Sequence, residues 1–273
     1  MSVANARMYS VSPEVIDLWR ELLSAIIARS GVPATVIDYP PPSPLNELWS
    51  RPDKAAVFMC GLPFSRAEPQ PVLVAAPVPS PPEFHGQPHY WSDLVVRKDS
   101  IFHTLRDTFG GRIAFTGPDS QSGCIAALSH FMSVPRGPAP LFREVIEPTI
   151  TPLGALTAVL DGAADVAPID AYALRLLRSY RPDLTSRIRI VDMTPPTPIP
   201  PLVASQAAPA LQAEFLEAHR IDSIKPLMDK LLLQRFARPN TGDYAVLRER
   251  FAAARDYWLD HRIAASVHPA FLA

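Results

Sequence analysis

The sequence of 273 residues contains only 11 glycines and two cysteines, and its net charge is −1. So few glycines exclude a collagen-like chain, which needs glycine at every third position. Two cysteines, Cys60 and Cys124, are too few for a disulfide framework, and we expect both to be free thiols. The 26 basic residues nearly balance the 27 acidic ones. No basic block is left to neutralise a row of phosphates, which argues against nucleic acid as a partner.

Long apolar runs are also missing. None reaches the length of about 18 residues that a transmembrane helix needs, so we expect a chain that does not span a membrane. The first ten residues show no charged segment followed by an apolar one, so no signal peptide is visible. This predicts a cytoplasmic location, and the alternative is a periplasmic location if a leader has been removed.

Proline, in contrast, is abundant. The chain has 32 prolines, more than twice the share of about 5% that is usual in proteins. Because 48% of the residues are hydrophobic, this is not the composition of a disordered linker. Proline-rich runs at 40–44, 77–82, 135–140 and 195–201 separate apolar segments, whereas residues 202–273 contain few prolines.

The apolar segments alternate between helical and strand-like patterns. Ser12 and Pro13 open a helix whose apolar residues recur at helical spacing until Gly31. Apolar runs at 34–39, 55–60 and 72–76 then predict strands, and a second series of strands and helices follows between residues 90 and 204. This alternation predicts an α/β fold with a parallel or mixed sheet covered on both faces. From residue 210 to 258 the pattern predicts a helical tail.

Residues 117–123 form the most informative segment. A predicted strand ends there, and small polar residues follow a Gly-Pro turn where a helix begins. The hydroxyls of Ser120 and Ser122, the Gln121 amide and free backbone N–H groups would converge with the positive end of the helix dipole, which favours an oxyanion. The alternative is ordinary N-capping by Asp119 or Ser120 without a ligand.

Other chemistries have weaker patterns. A nucleophile elbow needs glycine two residues before the serine, but Ser120 precedes Ser122. His85 and His89 lie in a proline-containing loop with no following glutamate of a metalloprotease pattern. No glycine loop has the spacing of a dinucleotide site or a following Walker lysine. We therefore expect no enzymatic constellation, no metal and no cofactor.

Asp170 follows a predicted strand at 166–169. Open α/β sheets place ligand-contacting groups at the carboxyl ends of their strands, so Asp170 is a candidate for ligand binding. It is equally suited to cap the helix that begins at Ala171. The two roles are compatible.

Several motifs together resemble those of a known family. They are YWSDLVVR at 90–97, DSQSG at 119–123, AADVAPID at 163–170 and PPLV at 200–203. Their order and separation resemble the phosphate/phosphite/phosphonate substrate-binding protein family of ABC transporters, over about residues 8–205. The first-lobe loops at 8–9 and 60–63 look like those of its leaderless bacterial members.

The resemblance implies a type 2 periplasmic-binding-protein fold, with two α/β lobes, a ligand cleft between them and the helical C-terminal tail. The first lobe would comprise 1–85 and 202–273, the second 89–194, with crossings near 77–88 and 195–201. The implied function is binding of a small oxyanion, phosphate-like or phosphonate-like, for an ABC-type uptake system with a permease partner. The alternative, suggested by the missing leader, is a cytoplasmic enzyme or solute sensor built on the same fold.

The resemblance also implies ligand contacts from both lobes: Tyr9, Gly61, Tyr90, Ser120, Gln121, Ser122 and Asp170. The residues 120–122 would bind the anionic head, and Asp170 would face the group that the anion carries. Tyr90 would wall the cleft, while Tyr9 and Gly61 would close it from the first lobe. Two positions depart from the family pattern, because 151–152 lacks a histidine and Cys124 replaces a common aromatic residue. Both departures touch the implied cleft and leave the identity of the oxyanion open.

Overall fold

The computed structural model describes residues 1–134 and 140–261. The proline-rich run that starts at Pro135 lies mostly outside this range, as do residues 262–273 of the predicted first lobe. The chain divides into two compact units. The first unit comprises Met1–Tyr90 and Pro198–Ala245, and the second comprises Trp91–Thr197 and the chain from Val246 onward. The predicted lobe boundaries stay a prediction, and they differ from this division mainly in the placement of the C-terminal helix.

Strands and helices alternate along much of the described chain, as the sequence pattern predicts. The strands are β1 (Ser2–Asn5), β2 (Ala34–Val36), β3 (Lys54–Phe58), β4 (Val72–Pro79), β5 (His89–Tyr90), β6 (Ser92–Arg97), β7 (Arg112–Ala114), β8 (Glu144–Ile146), β9 (Ala167–Asp170), β10 (Ile188–Met193), β11 (Thr197–Pro198), β12 (Leu202–Ala204) and β13 (Leu233–Ala237). The helices are α1 (Pro13–Ser30), α2 (Leu45–Ser50), α3 (Gly61–Arg66), α4 (Ala126–Phe131), α5 (Pro152–Leu160), α6 (Ala171–Tyr180), α7 (Pro182–Thr185), α8 (Pro209–Glu217), α9 (Lys225–Lys230) and α10 (Ala245–His261).

The first unit is built on a six-stranded mixed sheet in the order β13-β4-β12-β3-β1-β2. Strand β1 pairs parallel with β2 and β3, whereas β12 pairs antiparallel with both β3 and β4. All five residues of β3 are buried, as expected for an inner strand covered on both faces. The predicted mixed sheet is confirmed in this unit.

Helix α1 covers this sheet, and its ends follow from the sequence. The Ser12 hydroxyl accepts a hydrogen bond from the Val15 N–H at 3.3 Å, which caps the first turn. Gly31 ends the helix in the left-handed region, with φ of 66°, a conformation that glycine adopts without steric cost. Between these ends Trp19, Leu22 and Ile26 are buried against the sheet.

The second unit contains a three-stranded antiparallel sheet in the order β10-β6-β9 and the parallel pair β7-β8. A single bridge from Ile113 to Val166 joins β7 to the residue before β9. The register of β6 and β9 sets Ser92 opposite Asp170. Apolar side chains of β6 and α6, such as Leu94 and Leu174, are fully buried in this unit.

The tail differs from its sequence prediction. Helices α8, α9 and α10 confirm its helical character, but β13 interrupts it. The helical spacing of Leu227, Leu231 and Phe236 suggests one continuous face, yet α9 ends at Lys230 and Leu232 has a φ of 54°. Strand β13 then pairs antiparallel with β4. The backbone hydrogen bonds that β13 forms with the open edge of β4 therefore outweigh the local preference for helix that the spacing of apolar residues indicates. Within the second predicted series of strands and helices, the segment between β6 and β7 contains only a 3-10 turn at Leu105–Thr108.

Both cysteines are buried and neither is part of a disulfide bond, as the sequence predicts. None of the helices in the described range has the length and apolar character of a membrane-spanning segment.

Candidate functional site

The predicted oxyanion segment lies where a loop after β7 enters a helix. Residues Gln121–Ile125 form a π-helical turn that continues directly into α4. The Ser120 hydroxyl accepts a hydrogen bond from the Gly123 N–H at 3.1 Å, so Ser120 is the N-cap. Capping uses a lone pair of the hydroxyl oxygen and leaves its proton free to donate. The capping interpretation is therefore correct, and it is compatible with an anion contact by the same side chain.

Gly123 is held against Thr116 at a distance that only glycine allows. The Thr116 N–H donates to the Gly123 carbonyl oxygen at 3.2 Å. A Cβ atom added to Gly123 would lie 1.9 Å from Thr116 Oγ1 and 2.8 Å from Ser120 Oγ. Thr116 Oγ1 is itself buried and has no hydrogen-bond partner within the described residues. Sequence reasoning missed Thr116, although a hydroxyl residue two positions after β7, directly before the Gly-Pro turn, was a usable signal.

Ser92 connects the oxyanion segment to the three-stranded sheet. Its hydroxyl donates to the Ser122 carbonyl oxygen at 2.7 Å, and its N–H donates to Thr194 Oγ1 at 3.0 Å. Since Ser92 also lies opposite Asp170 in the β6–β9 register, it brings Ser122 and Asp170 to the same end of this sheet. Ser92 was not predicted as a site residue. Its signal in the sequence is a serine at the start of an otherwise apolar strand.

Asp170 caps α6 while remaining buried. Its Oδ1 accepts a hydrogen bond from the Ala173 N–H at 2.9 Å. Burial raises the pKa of Asp170 to about 7, although hydrogen bonds from the Ala173 and Tyr172 backbone oppose this change. The nearby Asp93 carboxylate raises the pKa of Asp170 further, and the Arg175 guanidinium lowers it. The carboxyl group can therefore be present as a hydrogen-bond donor or as an anion near neutral pH.

A buried ion pair lies beside Asp170. Asp93, the residue that follows Ser92 in β6, forms a salt bridge with Arg175 of α6. The Trp91 indole N–H donates to Asp93 Oδ1 at 2.9 Å, and the Arg175 guanidinium lies over the Trp91 ring at 5.6 Å. Removing one partner of such a pair would leave a buried charge uncompensated. The pair thus fixes the start of β6 relative to α6. Because Asp170 is the N-cap of α6, the pair also helps to position Asp170.

A second helix start contacts the same loop through Thr116. The Thr116 carbonyl oxygen accepts a hydrogen bond from the Ile150 N–H at 3.1 Å, just before α5. Ile150 has a φ of 66°, which is a strained conformation for a β-branched residue. Thr151 then caps α5 by accepting from the Gly154 N–H at 2.9 Å. Thr116 therefore joins the first turns of the 121–131 helical segment and of α5, both of which present positive dipole ends.

Three of the predicted contacts lie in the first unit. Tyr9 is buried in an aromatic cluster, with ring centroids 6.4 Å from Trp19 and 5.1 Å from Phe58. Gly61 is the first residue of α3, and Tyr90 is the buried last residue of β5. Gln121, in the second unit, is also fully buried. The ligand contacts of all seven predicted residues stay predictions.

The cysteine and the potential metal ligands near this site have simple properties. Within residues 1–134 and 140–261, no group of three or more histidine, cysteine or acidic side chains could hold a metal ion. Burial raises the pKa of the Cys124 thiol well above its usual value. A thiol in that state stays protonated and is a poor nucleophile. The site offers hydroxyls, backbone N–H groups and one titratable carboxyl, which is a set suited to binding an anion.

Comparisons with known structures agree with this architecture. A binding protein component of an ABC phosphonate transporter from Pseudomonas aeruginosa has a TM-score of 0.69 at 15% identity, over 96% of this chain and 99% of that chain. PhnD1 from Prochlorococcus marinus in complex with methylphosphonate has a TM-score of 0.75 at 16% identity, over 93% and 97%. XAC2383 from Xanthomonas citri bound to chloride ion has a TM-score of 0.60 at 18% identity, over 94% and 99%. The predicted fold is thereby confirmed.

Sequence comparison identifies the family directly. None of the curated proteins compared with this chain matches it. A family described as "ABC transporter, phosphonate, periplasmic substrate-binding protein" matches residues 11–244, which is most of the chain. Members of that family are substrate-binding components of transporters and not enzymes. The resemblance found in the sequence motifs is confirmed, and the chain belongs to the phosphonate substrate-binding protein family of ABC transporters.

Proposed function

We propose that this chain binds a small phosphonate or a related oxyanion through the helix start at Ser120–Ser122, for uptake by an ABC transporter. The observation that supports the proposal is the helix start itself, whose first turn is held by hydrogen bonds from Ser92 to the Ser122 carbonyl oxygen and from Thr116 to the Gly123 carbonyl oxygen. Hydroxyl and backbone donors of this turn would bind the anion. PhnD1 from Prochlorococcus marinus, which has the same fold, is in complex with methylphosphonate.

The anionic head would be bound by groups that carry no competing negative charge. The first N–H groups of a helix have no intrahelical acceptor, so they can donate to phosphonate oxygens together with the Ser120 and Ser122 hydroxyls. Hydrogen bonds to a charged acceptor are stronger than neutral ones. No lysine or arginine is needed for this contact, which suits the near-zero net charge of the chain.

Asp170 would select the group that the anion carries. As an anion its carboxylate accepts hydrogen bonds from an ammonium group, and as an acid it donates to a phosphonate or carboxylate oxygen. With a pKa of about 7, both forms are populated near neutral pH. We therefore expect the preference between aminoalkylphosphonates and unsubstituted phosphonates to change with pH, and Asp170→Asn to remove that change.

Calorimetry on protein freed of co-purified ligand tests the proposal. Methylphosphonate, phosphate, phosphite, methanesulfonate and acetate are the probes, and binding by at least one phosphorus oxyanion is expected. The double change Ser120→Ala with Ser122→Ala should weaken that binding by at least about tenfold, equivalent to about 1.4 kcal/mol. Ser133→Ala, beyond the other end of the same helical segment, is the matched control and should leave affinity unchanged. Absence of binding by every anion would overturn the proposal.

The compartment and the transport partner are finer points of the same proposal. The family description names the periplasm, and membership implies a permease that receives the ligand. We propose that the protein works in the periplasm with an ABC permease. Osmotic-shock fractionation of cells that express the complete native gene should release it with a periplasmic marker. Retention with a cytoplasmic marker would contradict this proposal.

A further inference from the structure

The first unit contains a cavity whose walls include none of the seven predicted ligand-contact residues. It has a volume of about 330 Å³ and lies between α1, the turn after β1 and the loop that follows the edge strand β2. This volume is at the lower end of the range typical of small-molecule sites. Its walls are mostly apolar and include Ile16, Leu23, Val36 and Ile37. Two polar groups on these walls have chemistry that the fold itself does not explain.

The first group is the guanidinium of Arg7. Arg7 is only 9% exposed, and burial lowers its pKa by opposing the charged form. One nitrogen donates to the Ser43 carbonyl oxygen, and the guanidinium lies 5.5 Å from the centre of the Tyr39 ring. No carboxylate in the described part of the chain lies within ion-pair distance of Arg7. Buried charges are normally paired, so a positive charge here is left without its counter-ion.

Arg20, on the same cavity wall, gives an internal comparison. It forms ion pairs with Asp17 at 2.7 Å and Asp38 at 2.5 Å, and its side chain is 42% exposed. Its charge is therefore compensated within the unit. Arg7, in contrast, is an arginine on this wall whose own guanidinium has no carboxylate at ion-pair distance among the described residues, so its charge is not paired locally.

The second group is the indole N–H of Trp19. Trp19 is 1% exposed and packs against the Tyr9 and Phe58 rings. Its Nε1 is buried and has no acceptor among the residues that the structure describes. A buried donor without an acceptor is rare in folded proteins. Because Nε1 itself has no accessible surface, a ligand in the cavity would lie beside the Trp19 ring and would not contact this N–H.

We propose that this cavity binds a compact apolar monocarboxylate, whose carboxylate accepts hydrogen bonds from the Arg7 guanidinium. The unpaired Arg7 guanidinium can pair with one carboxylate, and the Asp38 carboxylate on the same wall would repel a second negative charge on the ligand. The planar guanidinium suits the two oxygens of a carboxylate. The apolar walls exclude a strongly hydrated ligand body, and 330 Å³ accommodates a ring the size of benzoate.

The loop that carries Arg7 is prepared for this contact. The Asn5 side chain accepts a hydrogen bond from the Arg7 N–H at 2.9 Å and donates to the Ile37 carbonyl oxygen at 2.8 Å. Asn5 therefore fixes the turn after β1 to the end of β2. A preorganised side chain loses less conformational entropy when the ligand binds.

Benzoate is the probe for the first test, with benzamide as its uncharged isostere. The four tryptophans of the chain give four indole N–H signals in a nitrogen–proton correlation spectrum, and Trp19→Phe assigns one of them. Benzoate should shift the Trp19 signal saturably, and benzamide should not. Saturating methylphosphonate should leave the benzoate response in place, because the two ligands occupy different sites. No saturable shift, an equal shift with benzamide, or competition by methylphosphonate would each overturn the proposal.

Matched arginine variants form the second test. Arg7→Gln should weaken benzoate at least about tenfold, whereas Arg20→Gln should change its affinity by less than about twofold. Equal losses in the two variants would contradict the role of the unpaired charge. Circular dichroism checks the fold of each, and if Arg7→Gln does not fold, the benzoate–benzamide comparison on the unaltered protein decides. Methylphosphonate binding is measured separately, so failure of either site leaves the other result standing.

Discussion

The Ser92 hydroxyl donates a hydrogen bond of 2.7 Å to the carbonyl oxygen of Ser122. This bond joins the start of β6 to the first turn of the helical segment at 121–131. Because the register of β6 also sets Ser92 opposite Asp170, one serine fixes the relative positions of the anion-binding turn and the titratable carboxyl. If the Ser92 hydroxyl were removed, the Ser122 carbonyl oxygen would lose this hydrogen bond and the turn would lose its connection to the sheet.

Ser92→Ala is therefore expected to lower the free energy of unfolding by about 1 kcal/mol and to weaken methylphosphonate binding. Urea denaturation and calorimetry measure the two effects. Ser100→Ala is the matched control, since its hydroxyl also donates to a carbonyl oxygen at 2.7 Å, that of Arg97, but in a surface turn. A variant that binds methylphosphonate as tightly as the unaltered protein would show that Ser92 does not position the turn.

Gly123→Ala is expected to destabilise the protein by about 1–3 kcal/mol, because the new methyl group would overlap Thr116 Oγ1 and Ser120 Oγ. Thermal unfolding checks this value. Gly242→Ala is the control, as an added Cβ there meets nothing closer than 3.6 Å. Adding Thr116→Ala to Gly123→Ala should recover part of the loss, and no recovery would place the conflict elsewhere.

Asp170 predicts a specific pH dependence of stability. Its pKa is about 7 in the folded protein, against 3.8 for an unperturbed aspartate side chain. A group whose pKa is higher in the folded protein contributes its full stabilisation at pH values below its pKa in the unfolded chain. This stabilisation is lost as the pH rises to about 7, the pKa of Asp170 in the folded protein. Asp170→Asn keeps an oxygen that can cap α6, so the variant should gain stability relative to the unaltered protein between pH 4 and pH 7, and no more above that. Urea unfolding at a series of pH values gives the difference.

Asp165 should show the opposite trend and serves as the comparison. Although burial alone would raise its pKa, hydrogen bonds and charge from Arg112 hold that pKa below the usual value. Its stabilisation is present above the unfolded pKa and is lost on acidification. The loss of stability in Asp165→Asn, relative to the unaltered protein, should therefore be largest at neutral pH. Parallel trends in the two variants would contradict the assignment for Asp170.

Ile150→Asn is expected to stabilise the protein by about 1 kcal/mol, since asparagine adopts a positive φ with less strain than a β-branched residue. The Ile150 side chain is 41% exposed, so little apolar burial is lost. Ile101→Asn, at a position that is 83% exposed and has no positive φ, is the control and should change stability little. Chemical denaturation measures both. Destabilisation by Ile150→Asn would show that packing of Ile150 outweighs its backbone strain.

Local sequence signals predicted the parts of the fold that local physics determines. Ser12, Pro13 and Gly31 fix the ends of α1, and Ser120 and Asp170 act as the caps that their positions suggest. The helix start at 120–122 was predicted because small polar residues follow a Gly-Pro turn. Short-range hydrogen bonds decide each of these features, and their partners lie within a few residues.

Features that depend on distant partners could not be predicted in the same way. Strand β13 looks helical in sequence, and only its pairing with β4, more than 150 residues earlier, makes it a strand. Ser92 and Thr116 look like ordinary polar residues until the fold brings them to Ser122 and Gly123. The unpaired charge of Arg7 is likewise visible only once its neighbours are known, because a sequence does not show which acidic residues lie elsewhere.

The position of β12 has a consequence for biosynthesis. This strand lies between β3 and β4, and β13 covers the far side of β4, so the first sheet combines segments from both ends of the chain. Once residues 1–197 have left the ribosome, nearly all of the second unit has been synthesised, apart from its C-terminal helix. The six-stranded sheet of the first unit still lacks two strands, β12 and β13, at that point. Closing pairings across such long separations is slow. The order of synthesis is therefore the reverse of the order of completion, and an exposed β3 and β4 would need protection while translation proceeds.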